Sequence, residues 1–164
     1  ANACRGDKLD LRKLVATQAC AVQGVAGPLP ASVAVTVEPV TVKSGARIDA
    51  AIVLTNVSDQ ELVLVLDNSC DELARVSYEM HDAKGVRVDA GMAVCASDGG
   101  CIASQIGLAI APRGTARVPF VFDPRTEEFD KACTATRVKP VPRGTYDVKV
   151  YWNRGELTTT ATVR

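Results

Sequence analysis

From Ala31 onward, hydrophobic residues recur at every second position. Val33, Val35 and Val37 alternate with small or polar residues, and Ile48, Ala50, Ile52 and Leu54 alternate with Arg47, Asp49 and Thr55. Successive side chains of an extended chain point to opposite faces, so this period predicts strands with one buried face. Leu62, Leu64 and Leu66 share one face while Val63 and Val65 occupy the other, the pattern of a central strand covered on both sides. Val76, Tyr78 and Met80 form the next set, closed by Asp82-Ala83-Lys84-Gly85, where Gly85 suits the positive φ of a hairpin, and residues 86–89 return. Two further sets are Ala116, Val118, Phe120, Phe122 and Tyr146, Val148, Val150, Trp152. Pro119 inside the first marks an edge or a bulge. A last hairpin at 153–156 leads into LTTTATV.

The tetrapeptide PRGT precedes each of those two sets, at Pro112–Thr115 and Pro142–Thr145. Proline fixes φ and glycine permits the left-handed conformation, so each PRGT is expected to turn the chain and launch an antiparallel strand. No helix-forming segment follows either, which removes the helix N-terminus that a phosphate-cradling loop requires. The residues between them do not repeat, so an internal duplication is unsupported. Roughly eight strands with turns every 8–12 residues describe an antiparallel sandwich. Ahead of it, Leu11, Leu14 and Val15 fall at helical spacing and predict one amphipathic helix from about Lys8 to Ala19, capped by Asp7; GVAGPLP then reads as a linker. The expected organisation is an N-terminal helix and linker over 1–30 and a β-sandwich domain over 31–164, mainly β in class.

Charge and composition narrow the function. The chain has 164 residues, 19 basic and 19 acidic side chains, and no net charge. It is long enough to bury roughly 70% of its unfolded surface as one domain. Balanced, scattered charges and few aromatics argue against a nucleic-acid partner. The longest aliphatic run, Leu62 to Leu66, is far short of the ~20 residues that cross a bilayer.

Six cysteines point to disulfides and an exported, periplasmic or extracellular, chain. Ala1-Asn2-Ala3 looks like the small-residue end of a signal peptide, and ANAC also reads as a lipobox remnant in which Cys4 carries a lipid anchor at an outer membrane. Cys95 and Cys101, separated by a segment with two glycines, are expected to close a small loop worth about 2 kcal/mol. Cys4, Cys20, Cys70 and Cys133 then allow three pairings. A complete helix of ~18 Å would hold Cys4 and Cys20 apart, beyond the ~4.4–6.8 Å between Cα atoms that a disulfide spans. Cys70 or Cys133 is therefore the favoured partner of Cys20.

The segment Gly144-Thr145-Tyr146-Asp147-Val148 resembles the tyrosine corner of immunoglobulin-like domains, where a tyrosine near the start of the penultimate strand precedes a cysteine by two residues. Val148 stands in the cysteine's place and strand 47–55 has none, so the antibody-type disulfide between sheets is absent. Leu54-Thr55-Asn56 with Ser58, the Asp82-to-Gly85 turn, the Pro112 turn and Gly144-Thr145-Tyr146 are similar in order and spacing to bacterial immunoglobulin-like modules, including the family of BsuPI-type proteinase inhibitors. The resemblance covers about 40–164. It implies an immunoglobulin-like β-sandwich and, as one activity, inhibition of a proteinase.

Candidate chemistry is sparse. His81 is the only histidine, and alternation puts it on the polar face with Glu79, opposite Met80. A surface histidine is the plain reading; a Cu(I) site from Met80, His81 and Met92 is the alternative, although one strand cannot present its two faces to one ion. Asp67 to Glu72 lacks the glycine and the terminal glutamate of a calcium loop. Arg5-Gly6-Asp7 matches an adhesion tripeptide but reads as the helix entry, and Asn56-Val57-Ser58 fits a glycosylation acceptor on a surface turn. No catalytic set, cofactor or metal is expected. The sequence predicts a non-enzymatic module that binds a protein partner as a structural or accessory subunit of an envelope assembly. Recognition is expected from loops at one end of the sandwich, 89–105 and 123–142, through Ser97, Asp98, Arg125, Glu127 and Phe129. A short helix is expected over 126–133.

Overall fold

The computed structural model describes residues 3–17, 20–89, 101–129, 134–153 and 155–164. The chain runs through β1 (Cys4–Asp10), α1 (Leu11–Thr17), β2 (Val33–Val37), β3 (Val40–Val42), β4 (Ile48–Asn56), β5 (Leu62–Asp67), a 3-10 turn (Ser69–Ala74), β6 (Ser77–His81), β7 (Gln105–Phe122), β8 (Arg125–Phe129), β9 (Ala135–Pro140), β10 (Gly144–Trp152) and β11 (Gly155–Val163). One sheet has the order β1-β7-β4-β2, with β5 also on β7; the second is β3-β11-β10-β6; β8 and β9 form a separate ribbon. Pairing is antiparallel except at β1–β7 and β11–β3.

The alternating sets supply the two inner faces. Ile52, Leu54, Val118 and Phe122 from one sheet, and Met80, Val148, Val150 and Ala161 from the other, are almost free of solvent. Each of these side chains larger than alanine contributes about 1.5–3 kcal/mol by burial. The result is the immunoglobulin-like β-sandwich. The tyrosine corner is formed: the Tyr146 hydroxyl donates to the Pro142 carbonyl at 2.6 Å, with the residue 7% exposed. The second PRGT thus turns the chain into β10.

The first PRGT does something else. It lies inside the single 18-residue strand β7, whose first half pairs with β5 and whose second half pairs with β4. On the β1 side, Gly6 opposes Ile110 and Lys8 opposes Thr115, so residues 111–114 stand opposite Asp7 alone. This is a bulge, with Arg113 at φ 60°. A Cβ on Gly114 would lie 2.9 Å from the Ala111 oxygen and 3.0 Å from Asp7 Cα, so only glycine fits. Across β7, the matching interruption between β4 and β5 is held by Asn56. Its amide nitrogen reaches the carbonyls of Gln60 at 2.7 Å and of Ile110 and Ala111 at 3.1 Å, and its oxygen accepts from the Ser58 amide at 3.0 Å and hydroxyl at 2.7 Å. Arg113 crosses the gap to the Val57 carbonyl at 2.6 Å and Asp59 at 2.7 Å. Asn56 is 0% exposed. Its nitrogen is therefore engaged inside the fold, which corrects the glycosylation reading.

Among the described residues, two other expectations change and one holds. β5 pairs with β7 alone and leaves Val63 59% exposed, so it is an edge rather than a central strand. Pro119 sits where β7 is an edge, as expected: β1 stops pairing at Arg117, Pro119 is paired only with Ala51 of β4, and on the open flank a missing N–H costs no ladder bond. The N-terminal helix is shorter than expected: Cys4–Asp10 is a strand, and the cap is Asp10, whose carboxylate accepts from the amides of Arg12 at 3.1 Å and Lys13 at 3.4 Å. Arg5-Gly6-Asp7 sits in that strand, with Arg5 paired to Glu61.

Both disulfides among the described residues differ from the expected pairings. β1 runs out along β7 and the seven-residue helix leads back, so that Cys20 returns to the same strand. The Gly107 amide donates to the Cys20 carbonyl at 2.9 Å and Ala21 bridges Ile106. Cys4 and Cys20 are bonded at a Cα separation of 5.2 Å. With its sulfur in that bond, Cys4 has no thiol to carry a lipid. Cys101 is bonded to Cys70, not Cys95, at a Cα separation of 4.9 Å. Hydrogen bonds Asn68 N–H to Ser104 O at 2.8 Å and Ser104 N–H to Ser69 Oγ at 3.1 Å bring those segments together. Cys95 and Cys133 lie outside the described residues. No helix among the described residues is long and apolar enough to cross a membrane.

Candidate functional site

The β8–β9 ribbon is built from the base outward. Tyr78 packs against Phe120 and Phe122, ring centroids 6.2 and 4.9 Å away. Its hydroxyl donates to the Asp123 carbonyl at 3.1 Å and lies 2.9 Å from the Asp123 amide, which donates to it. Burial pushes the Tyr78 hydroxyl above its ordinary pKa, against the lowering effect of the bond to Asp123. The core aromatics thus clamp the exit of β7, and Val141 N–H closes the base on the Pro124 carbonyl at 3.2 Å.

Beyond the clamp, Arg125 opposes Pro140, Thr126 opposes Lys139, Glu127 opposes Val138 and Glu128 opposes Arg137. Among the described residues the ribbon pairs with no further strand. Arg137, Val138, Lys139 and Pro140 are exposed, Val138 by 50%. Arg125 reaches Glu127 at 2.9 Å and Asp123 at 3.4 Å, so two predicted site residues are brought together as an ion pair. Phe129 ends β8 as a strand residue, which corrects the helix expected from Thr126. Ser97 and Asp98 lie outside the described residues.

The described ends of the two expected recognition loops that adjoin β7 lie at opposite ends of that strand. Residues 101–104 lead into the first residue of β7 and Asp123 follows its last. At about 3.3 Å per residue the strand between them is on the order of 50 Å long.

A polar network on the outer face of the second sheet was only half legible. His81 Nε2 lies 3.1 Å from Glu79 and its Nδ1 3.2 Å from the Gly85 carbonyl. Arg87 reaches Glu79 at 3.2 Å and Asp89 at 2.9 Å. The hydrogen bond from His81, then the positive charge of Arg87, hold the Glu79 carboxyl below its usual pKa against an opposing desolvation. Desolvation, reinforced by Glu79 and Glu156, pushes the Tyr151 hydroxyl up. A groove of about 650 Å³ beside His81 is lined by Asp147, Lys149, Thr158 and Thr160. Alternation placed Glu79 and His81 on one face; Arg87 and Asp89 join them only because the Gly85 turn, at φ 77°, folds them back. Met80 is 0% exposed in the core. Met80 and His81 therefore face opposite sides of β6, which corrects the Met80, His81, Met92 copper alternative; Met92 lies outside the described residues. The described residues hold no group of three His, Cys, Asp or Glu suited to a metal.

No family model and no curated protein matches the chain. Among solved structures it is similar to a Pseudomonas fluorescens alkylpurine DNA glycosylase bound to DNA containing an abasic site analogue, at 15% identity over 82% of this chain and 31% of that chain, with a TM-score of 0.36. It is also similar to a PapD-like domain of human CEP192, at 15% identity over 87% of this chain and 91% of that one, TM-score 0.32. Domains 4 and 5 of the S-layer protein SbsC share 15% identity over 85% of this chain and 54% of that one, TM-score 0.27. The chain spans less than a third of the glycosylase chain.

Proposed function

We propose that the protein is an exported, non-enzymatic binding module that engages a protein partner through the β8–β9 ribbon. The observation that supports this reading is a two-stranded ribbon clamped at its base by Tyr78 and exposed along β9. An isolated hairpin is marginal in water. A partner strand or surface laid along β9 would extend the ribbon and cover the exposed Val138. Export fits the two disulfides, since such bonds persist in oxidising compartments. An accessory role in an envelope assembly is the setting this reading favours.

Capture from an envelope extract of the source cell tests it. The native chain is compared with the double substitution Arg137→Glu/Lys139→Glu, whose exposed sites leave the core untouched, and with Thr158→Glu/Thr160→Glu on the sheet face. The reading expects the ribbon variant alone to lose its partner. Equal recovery by all three, or loss only from the sheet-face variant, contradicts it. The resemblance to BsuPI-type inhibitors nominates a proteinase as that partner, and titration of a proteinase panel with micromolar protein is the direct check of that class.

A further inference from the structure

Cys101 is exposed and Cys70 half-buried. Cys70 also sits at φ 59° in the 3-10 turn Ser69–Ala74, a left-handed conformation that a side chain disfavours. The other bridge is different. Cys20 has no exposed surface and Cys4 is half-buried, and the backbone from Cys20 onward is tied to β7, the Gly107 amide donating to the Cys20 carbonyl at 2.9 Å and the Val22 amide to the Gln105 carbonyl at 3.1 Å. Cys70 also lines two clefts at once, one of about 670 Å³ beside Arg75 and Trp152 and one of about 480 Å³ beside Leu14 and Ile102. A reductant approaching from solvent therefore meets the Cys70–Cys101 bond first.

We propose that Cys70–Cys101 is a site of reversible thiol–disulfide exchange with a dithiol reductant, whereas Cys4–Cys20 is a permanent staple. In the first step a thiolate of the reductant attacks the Cys101 sulfur; the S–S bond breaks and Cys70 leaves as a thiolate, which takes up a proton. The second thiol of the reductant then displaces Cys101 and departs as a cyclic or intramolecular disulfide. The protein gains two electrons and two protons, and the dithiol loses them. The fold survives because Asn68 and Ser69 stay hydrogen-bonded to Ser104 and β6 stays paired to β10. Release frees the Cys70 side chain, which lines both clefts.

The test uses the oxidised full chain, without denaturant, and dithiothreitol as the probe. Samples are quenched with acid over time, alkylated with a light reagent, then unfolded, fully reduced and alkylated with a heavy one, and each cysteine is read by peptide mass spectrometry. Cys70 and Cys101 are expected to take the light label at least about tenfold faster than Cys4 and Cys20, while the far-ultraviolet β signal is unchanged. Equal rates, earlier labelling of Cys4 and Cys20, or labelling of Cys70 and Cys101 only as the β signal is lost overturns the proposal.

Discussion

Replacing Asn56 with alanine leaves the Gln60, Ile110 and Ala111 carbonyls without their shared donor and the Ser58 amide without its acceptor, the Ile110 carbonyl in a buried site and the others in part-buried ones. Buried groups stripped of partners cost about 1–3 kcal/mol each before relaxation. Asn56→Ala is expected to lower the urea-derived stability by about 2–4 kcal/mol; a change under about 0.5 kcal/mol contradicts the keystone role. Gly114→Ala is expected to cost more than Gly85→Ala in a thermal melt. Gly114 must push apart β1 and β7 backbone, whereas Gly85, at φ 77° with open space around it, carries only its conformational penalty of about 1 kcal/mol. Glu79 gives a pH signature. Its carboxyl titrates lower folded than unfolded, so it stabilises the fold above the ordinary glutamate pKa of about 4.3, and that stability is lost as pH falls through the lower folded value. Glu79→Gln is expected to be less stable than the native chain at pH 7, with the two converging in acid.

At the scale of elements, the alternating sets were readable because period two is a local property: Val118 and Phe122, or Val148 and Trp152, fall on one face wherever the strand ends up. Partners are not local. The two PRGT copies are identical in sequence, yet one turns the chain and the other bulges inside β7, because β1 and the β4–β5 break lie against the first. For the same reason Cys4 and Cys20 looked too distant until β1 took residues that helical spacing had claimed. Alternation around Arg125 and Glu127 was present but short, and the ribbon was read as a loop with a helix. The N-terminal clasp is testable as an element. Opening its 16-residue bridge with Cys4→Ser/Cys20→Ser is expected to cost about 3 kcal/mol on the chain-entropy account, read as a lower urea midpoint. An unchanged midpoint would mean that the sheet holds β1 without it.

For the whole molecule, one long strand joins the disulfide-linked end to the ribbon, with the bulge and its Asn56 bracket between them. Among the described residues the ribbon pairs with no strand of either sheet. A photo-crosslinking amino acid placed at Val138, and in a second chain at Val63, somewhat more exposed on the β5 edge, tests partner binding through the ribbon directly in the source cell. The account predicts a specific protein adduct from position 138 and none from 63. An adduct from 63 alone, or from neither, contradicts binding through the ribbon.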